Sequence, residues 1–113
     1  MDQVTIKIPR PQVREGSAFT ATAYCRDRAT AAASVPTNLY YRVDCLTTGK
    51  ELAGWTSVSA ASSASISITS THNAIQDQSN AYETKQLTVS ADHGLSTQVR
   101  ETAVWTVSNI RGF

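Results

Sequence analysis

Apolar and polar residues alternate in several stretches of this chain, and the alternation predicts strands. Val4, Ile6 and Ile8 fall on one side and Thr5 and Lys7 on the other, a half-buried strand that Pro9 and Pro11 bring to an end. Phe19, Ala21, Ala23 and Cys25 alternate with Thr20, Thr22 and Tyr24 in a second strand. The connection DRATAAASVPT follows, too short in its Ala-rich part to nucleate a stable helix. The clearest strand is LYYRVDC, in which Leu39, Tyr41, Val43 and Cys45 oppose Tyr40, Arg42 and Asp44. Thr47-Thr48-Gly49-Lys50 then supplies a turn, with Gly49 free to take positive φ, and ELAGWTSVS returns as the second arm of a hairpin. Further strands are marked by Ile66 and Ile68, by Leu87, Val89 and Ala91, and by Val99, Ala103, Trp105 and Val107. Between them, THNAIQDQSNA breaks the pattern and reads as a crossing loop with room for one helical turn, anchored by Ile75. Asp92-His93-Gly94 is a turn in which Gly94 supplies positive φ.

About seven short strands rich in Thr, Ser and Val, punctuated by turns, predict an all-β fold: an Ig-like β-sandwich of antiparallel strands in two sheets. The expected core is Val4, Ile6, Ile8, Phe19, Ala21, Ala23, Leu39, Tyr41, Val43, Leu52, Ile66, Ile68, Leu87, Val89, Trp105 and Val107. Two features depart from antibody-type domains. The cysteines fall on the second and third predicted strands, and Tyr41 stands where the third strand would carry a buried tryptophan.

Hairpin register decides what the sheet displays. With Cys45 opposite Leu52, Trp55 faces Arg42 on the outer side, whereas a slip of one residue would bury Trp55 instead. In the first register Tyr40, Arg42 and Trp55 share an outward face, and a guanidinium over an indole makes a cation-π pair. That group reads as a partner-contact patch, or more plainly as aromatic residues that stabilise neighbouring strands. The long first and last strands also offer edges to which another subunit could add.

At 113 residues the chain fits one domain, 1–113, able to bury a core without metals or crosslinks. Charged residues make up 17% and the net charge is +1, so neither a nucleic-acid footprint nor an acidic tail is indicated. No apolar run reaches membrane-spanning length, and MDQVTIKIPRP lacks the basic and apolar regions of a signal peptide, so no membrane partner and no export are expected. Cys25 and Cys45 lack zinc-ligand spacing and read as two buried thiols.

Chemistry-bearing motifs are sparse. His72 and His93, the general-base candidates, lie in loops without a signalled partner. The acids are scattered. Asp27 and Asp92 could meet at one end of the sandwich, but two isolated carboxylates make a poor calcium site. No Gly-x-Ser-x-Gly elbow or phosphate-cradling glycine loop is present, so no catalytic residue, cofactor or metal is expected and the protein reads as a non-enzyme.

The run from VTIKIPRP through TATAYCRD and LYYRVDCLTTGKELAGW, continuing through ASISITSTHNAI, KQLTVSAD and VWTVSNI, resembles the small Ig-like structural proteins of tailed bacteriophages. The resemblance implies a virion component made in the bacterial cytoplasm. It would be a capsid decoration protein on the head surface, or an accessory of the neck or tail. Its partners would be the major capsid protein or neck and tail proteins, and itself as a homo-oligomer. The family carries no fixed binding motif, so Tyr40, Arg42 and Trp55 stand on register alone. A carbohydrate- or receptor-binding module, in which Trp55 or Tyr40 stacks on a host-surface glycan, is the alternative.

Overall fold

A computed structural model describes residues 2–110, the side chain of Asp2 excepted. Eight strands form: β1 (Asp2–Lys7), β2 (Gln12–Arg14), β3 (Phe19–Asp27), β4 (Leu39–Cys45), β5 (Glu51–Val58), β6 (Ser63–Ile68), β7 (Tyr82–Ala91) and β8 (Val99–Ser108). They make a three-stranded sheet, β1-β3-β6, and a five-stranded sheet, β2-β8-β7-β4-β5. The fold is therefore all-β in two sheets, as the alternation predicted, with one more strand than expected.

The extra strand comes from the prolines. Pro9 and Pro11 lack the N–H that a ladder needs, so the chain leaves the first sheet there and joins the second. Thr106 N donates to Pro11 O at 2.9 Å and Glu15 N to Ser108 O at 2.8 Å. Between those bonds β2 runs parallel to β8, the one departure from antiparallel pairing among the described residues. The edge expected on the last strand is shortened, because β2 covers β8 at Thr106–Ser108 and leaves only Val99–Trp105 open.

Side chains from both sheets meet in one core. Val4, Ala21, Ala23, Ile66 and Ile68 of the smaller sheet pack against Leu39, Val43, Leu87, Val89, Trp105 and Val107 of the larger, with Ile6, Ile8, Phe19, Tyr41 and Leu52 partly buried around them. Each large member contributes roughly 1.5–3 kcal/mol by burial. Phe19 meets Trp105 edge to face at 5.3 Å. Ile75 is buried, as expected of the loop's anchor. Gly49 and Gly94 take φ of 74° and 82°, the conformations their turns required. No bond joins Cys25 to Cys45, and both are buried.

The alternation conceals one surprise. Inward parity on β7 includes Glu83 and Lys85 as well as Leu87 and Val89, and both charged side chains are fully buried. Lys85 Nζ donates to Glu83 Oε1 at 2.9 Å and to Ala74 O at 2.9 Å. Glu83 also accepts from Gln76 N at 2.7 Å, Asp77 N at 2.9 Å and Asn80 Nδ2 at 3.1 Å. Alongside, Trp105 Nε1 donates to Asn73 Oδ1 at 2.7 Å, and Asn73 Nδ2 donates to Ser17 O at 2.7 Å. The crossing loop 69–81 is thus fastened to the core through polar groups. Within it, Asn73 N reaches Thr69 O at 3.2 Å, closing a single turn.

Burial alone would raise the Glu83 carboxyl, but hydrogen bonds from Gln76 N, Lys85, Asp77 N and Asn80 outweigh it and bring the pKa down from 4.5 to about 2. A carboxyl lowered on folding stabilises fully above its unfolded pKa, and that stability is lost as pH falls toward the folded one. Urea unfolding should therefore show a contribution that is complete above pH 4.5 and declines toward pH 2. At neutral pH Glu83→Leu, which strands the Lys85 ammonium and two backbone N–H groups, should cost about 3–5 kcal/mol. Lys85→Met leaves the carboxylate with its other donors and should cost less, roughly 1–3 kcal/mol. Equal costs for the two would contradict this arrangement.

Candidate functional site

The outer face of the five-stranded sheet carries the patch expected from the sequence. Near the start of the hairpin, Leu39 pairs with Val58, Tyr40 with Ser57 and Tyr41 with Thr56. That register, extended one step, sets Trp55 beside Arg42, as predicted. It does not continue to Cys45 and Leu52. Register shifts flank Val43, which pairs with Ala53, and Asp44 pairs with Glu51. The extra residues let neighbours Leu52 and Ala53 both pack against the core, which a regular strand would forbid. Gly54 lies inside this irregular stretch, where an added Cβ would meet Glu51 Oε1.

The guanidinium of Arg42 lies 5.6 Å from the Trp55 ring centroid. It also forms a two-pronged ion pair with Asp44, Nε to Oδ2 at 3.0 Å and Nη2 to Oδ1 at 2.8 Å, with Glu51 Oε2 at 3.9 Å. Two residues that the sequence reading did not place here complete the group. Arg100, pointing outward from β8, sets its guanidinium 5.0 Å from the same indole. His93, from the β7–β8 turn, lies 4.6 Å from Trp55 and 4.8 Å from Tyr40, centroid to centroid.

Local bonds hold the histidine over the sheet. Asp92 adopts φ of 53°, a left-handed conformation that a short polar side chain supports through local bonds. Its N–H donates to Asn38 O at 3.0 Å, and its carboxylate accepts from Thr37 N at 2.8 Å and Thr97 Oγ1 at 3.1 Å. Asn38 bonds both the N–H and the carbonyl of His93. His93 Nδ1 then meets Ser90 Oγ at 2.9 Å. Beneath this cover Ser90 is 0% and Thr88 9% exposed, although both are on the outer face.

A serine and a histidine within hydrogen-bond reach invite a nucleophilic reading, but Ser90 is sealed under the rings and cannot meet a substrate in this arrangement. Among the described residues Arg100 has no carboxylate within ion-pair distance, so its charge is available above an aromatic platform. Parity on β8 put Arg100 outward. Its place in the row Ser57–Tyr40–Ser90–Arg100 required the order β5-β4-β7-β8, which alternation does not encode.

The other candidates resolve into local structure. His72 Nδ1 accepts from Thr69 N at 3.1 Å, and burial lowers its pKa. Asp27 Oδ1 accepts from Ala29 N at 2.8 Å and Thr30 N at 3.2 Å and so serves its own turn, whereas the Asp92 carboxylate ties the β3–β4 connection at Thr37 to the β7–β8 turn at Thr97. No group of three or more His, Cys, Asp or Glu able to hold a metal occurs among the described residues. A groove of about 920 Å³ runs along β2 past Phe19 and Tyr82, and Arg10 and Arg14 are its charged lining. Among the described residues its lining holds no Asp, Glu, His or Cys.

No family model, curated protein or solved structure matches this chain.

Trp55→Ala should remove the cover from Ser90 and lower stability by about 1–3 kcal/mol in urea melts. Arg100→Ala, which loses one exposed cation-π contact, should cost less than about 1 kcal/mol. A Trp55→Ala protein as stable as the parent would show that the indole does not pack on the sheet.

Proposed function

We propose that this chain is a non-enzymatic structural protein of a bacteriophage virion, a capsid decoration protein on the head surface that attaches through the outer face of its larger sheet. The observation that carries the attachment surface is Arg100, unpaired among the described residues, set on an aromatic platform of Trp55, His93 and Tyr40. Exposed cations beside aromatic rings are favoured at protein interfaces. The virion setting rests on the resemblance carried by the sequence. A small two-sheet body with a single core suits a repeated attachment on a symmetric surface.

The finer reading of the fold is immunoglobulin-like. The division of β1, β3 and β6 from β4, β7 and β8 parallels the A, B, E and C, F, G strands of such domains, with β5 added beside β4. A fourth strand in the smaller sheet is lacking among the described residues, and the buried tryptophan sits on the last strand.

Of the two partner classes, a protein surface fits this face better than a host glycan. Sugar stacking needs an open ring face, and the Trp55 indole is already packed by Arg42, Arg100 and His93.

Mass spectrometry and cryo-electron microscopy of purified particles should find the chain on the head, with the β4–β5–β7–β8 face toward its neighbour. Its absence from particles would remove the virion reading. Arg100→Glu should weaken attachment to particles at least about tenfold. Undiminished attachment by a folded Arg100→Glu protein would remove this face as the contact.

A further inference from the structure

Sheet edges are templates for another strand, and soluble proteins protect them with charges, prolines, bulges or covering segments. Four edges here are protected, among them the uncovered Val99–Trp105 part of β8, which carries Arg100 and Glu101. β1 places Lys7 on its outer side, runs into Pro9 and lies against β8 of the other sheet. β2 has three residues and follows two prolines. β5 is interrupted by register shifts and begins with Glu51.

β6 has none of these devices. Its six residues, SASISI, pair with β3 in unbroken register from Ser63↔Tyr24 to Ile68↔Phe19. Ser63, Ser65 and Ser67 are exposed, and Ala64, Ile66 and Ile68 face the core. Among the described residues no other segment hydrogen-bonds to the far side of this strand. No Asp, Glu, Lys or Arg occurs from residue 52 to residue 76.

We propose that β6 is a self-pairing edge, at which two copies of this chain join antiparallel across a two-fold axis and their three-stranded sheets become one sheet of six. The occupant is a second copy because the strand complements itself. Under two-fold symmetry serine meets serine on the outside, and apolar residues meet one another on the inside. An uncharged edge brings no like charges together at the axis, where a charged one would repel its own image. Each strand then supplies the backbone donors and acceptors that the other leaves unpaired. The contact is formed mainly by one strand per copy, so it falls in the small, reversible class of interfaces. It lies on the sheet opposite the Trp55 face, and self-pairing therefore leaves that face uncovered whether or not the chain is a virion protein.

Sedimentation velocity over a concentration series reaching about 1 mM tests this, since that range captures even a weak dimer. The parent protein is expected to shift from monomer to dimer. Ser65→Lys/Ser67→Lys, changed only at exposed positions, is expected to raise the dissociation constant at least about tenfold, because the lysines face their images across the axis. Its circular dichroism and melting temperature should match the parent's. Trp55→Ala should dimerise like the parent. A parent protein that stays monomeric throughout would overturn the proposal, as would a dimer equally tight in the folded double-lysine variant.

Discussion

The buried Glu83–Lys85 pair is the constraint on which the rest of this fold depends. Taking two opposite charges out of water is costly unless each finds every partner it needs, and here the partners come from the loop that carries the chain from β6 to β7. The carboxylate accepts from the backbone of Gln76 and Asp77, and the ammonium donates to the backbone of Ala74. An otherwise plain loop is thereby given one conformation. Trp105 and Asn73 extend the same fastening into the centre of the core, so apolar packing and loop geometry are set together.

That constraint positions the displayed face indirectly. Fixing β7 against the loop fixes the frame on which β4 and β8 pair on either side of it. Tyr40, Ser90 and Arg100 then fall in one row, and the Asp92–Gly94 turn brings His93 over it. The face is a product of cross-strand order, and its parts lie far apart in the chain. The bare edge at β6 belongs to the smaller sheet, which leaves the two surfaces independent.

Alternation made most of the core legible. Every residue expected inside is either buried or packed against the buried cluster, from Val4 to Val107. The failures have physical causes. The inward parity of Leu87 and Val89 extends to Glu83 and Lys85, but charged side chains are seldom buried, and only the loop's backbone groups resolve that conflict. The prolines at 9 and 11 were visible as a stop, while the change of sheet they permit depends on β8, more than ninety positions away in the chain. The hairpin register held near Tyr40 and failed near Cys45, because bulges leave no clear mark in period-two patterning. Tyr40, Arg42 and Trp55 were legible as neighbours within one hairpin. Arg100 and His93 were not, since their place depends on which strands lie side by side.

The central claim is that an ionised carboxylate, sealed in the interior, holds the crossing loop in place. A carbon-detected NMR titration of the Glu83 side-chain carboxyl tests it most directly. The account predicts a resonance that keeps its ionised position through the ordinary carboxyl range and moves only as pH approaches about 2. A midpoint near 4.5, in a protein that is still folded, would show that Glu83 is solvated and that the loop is held by something else.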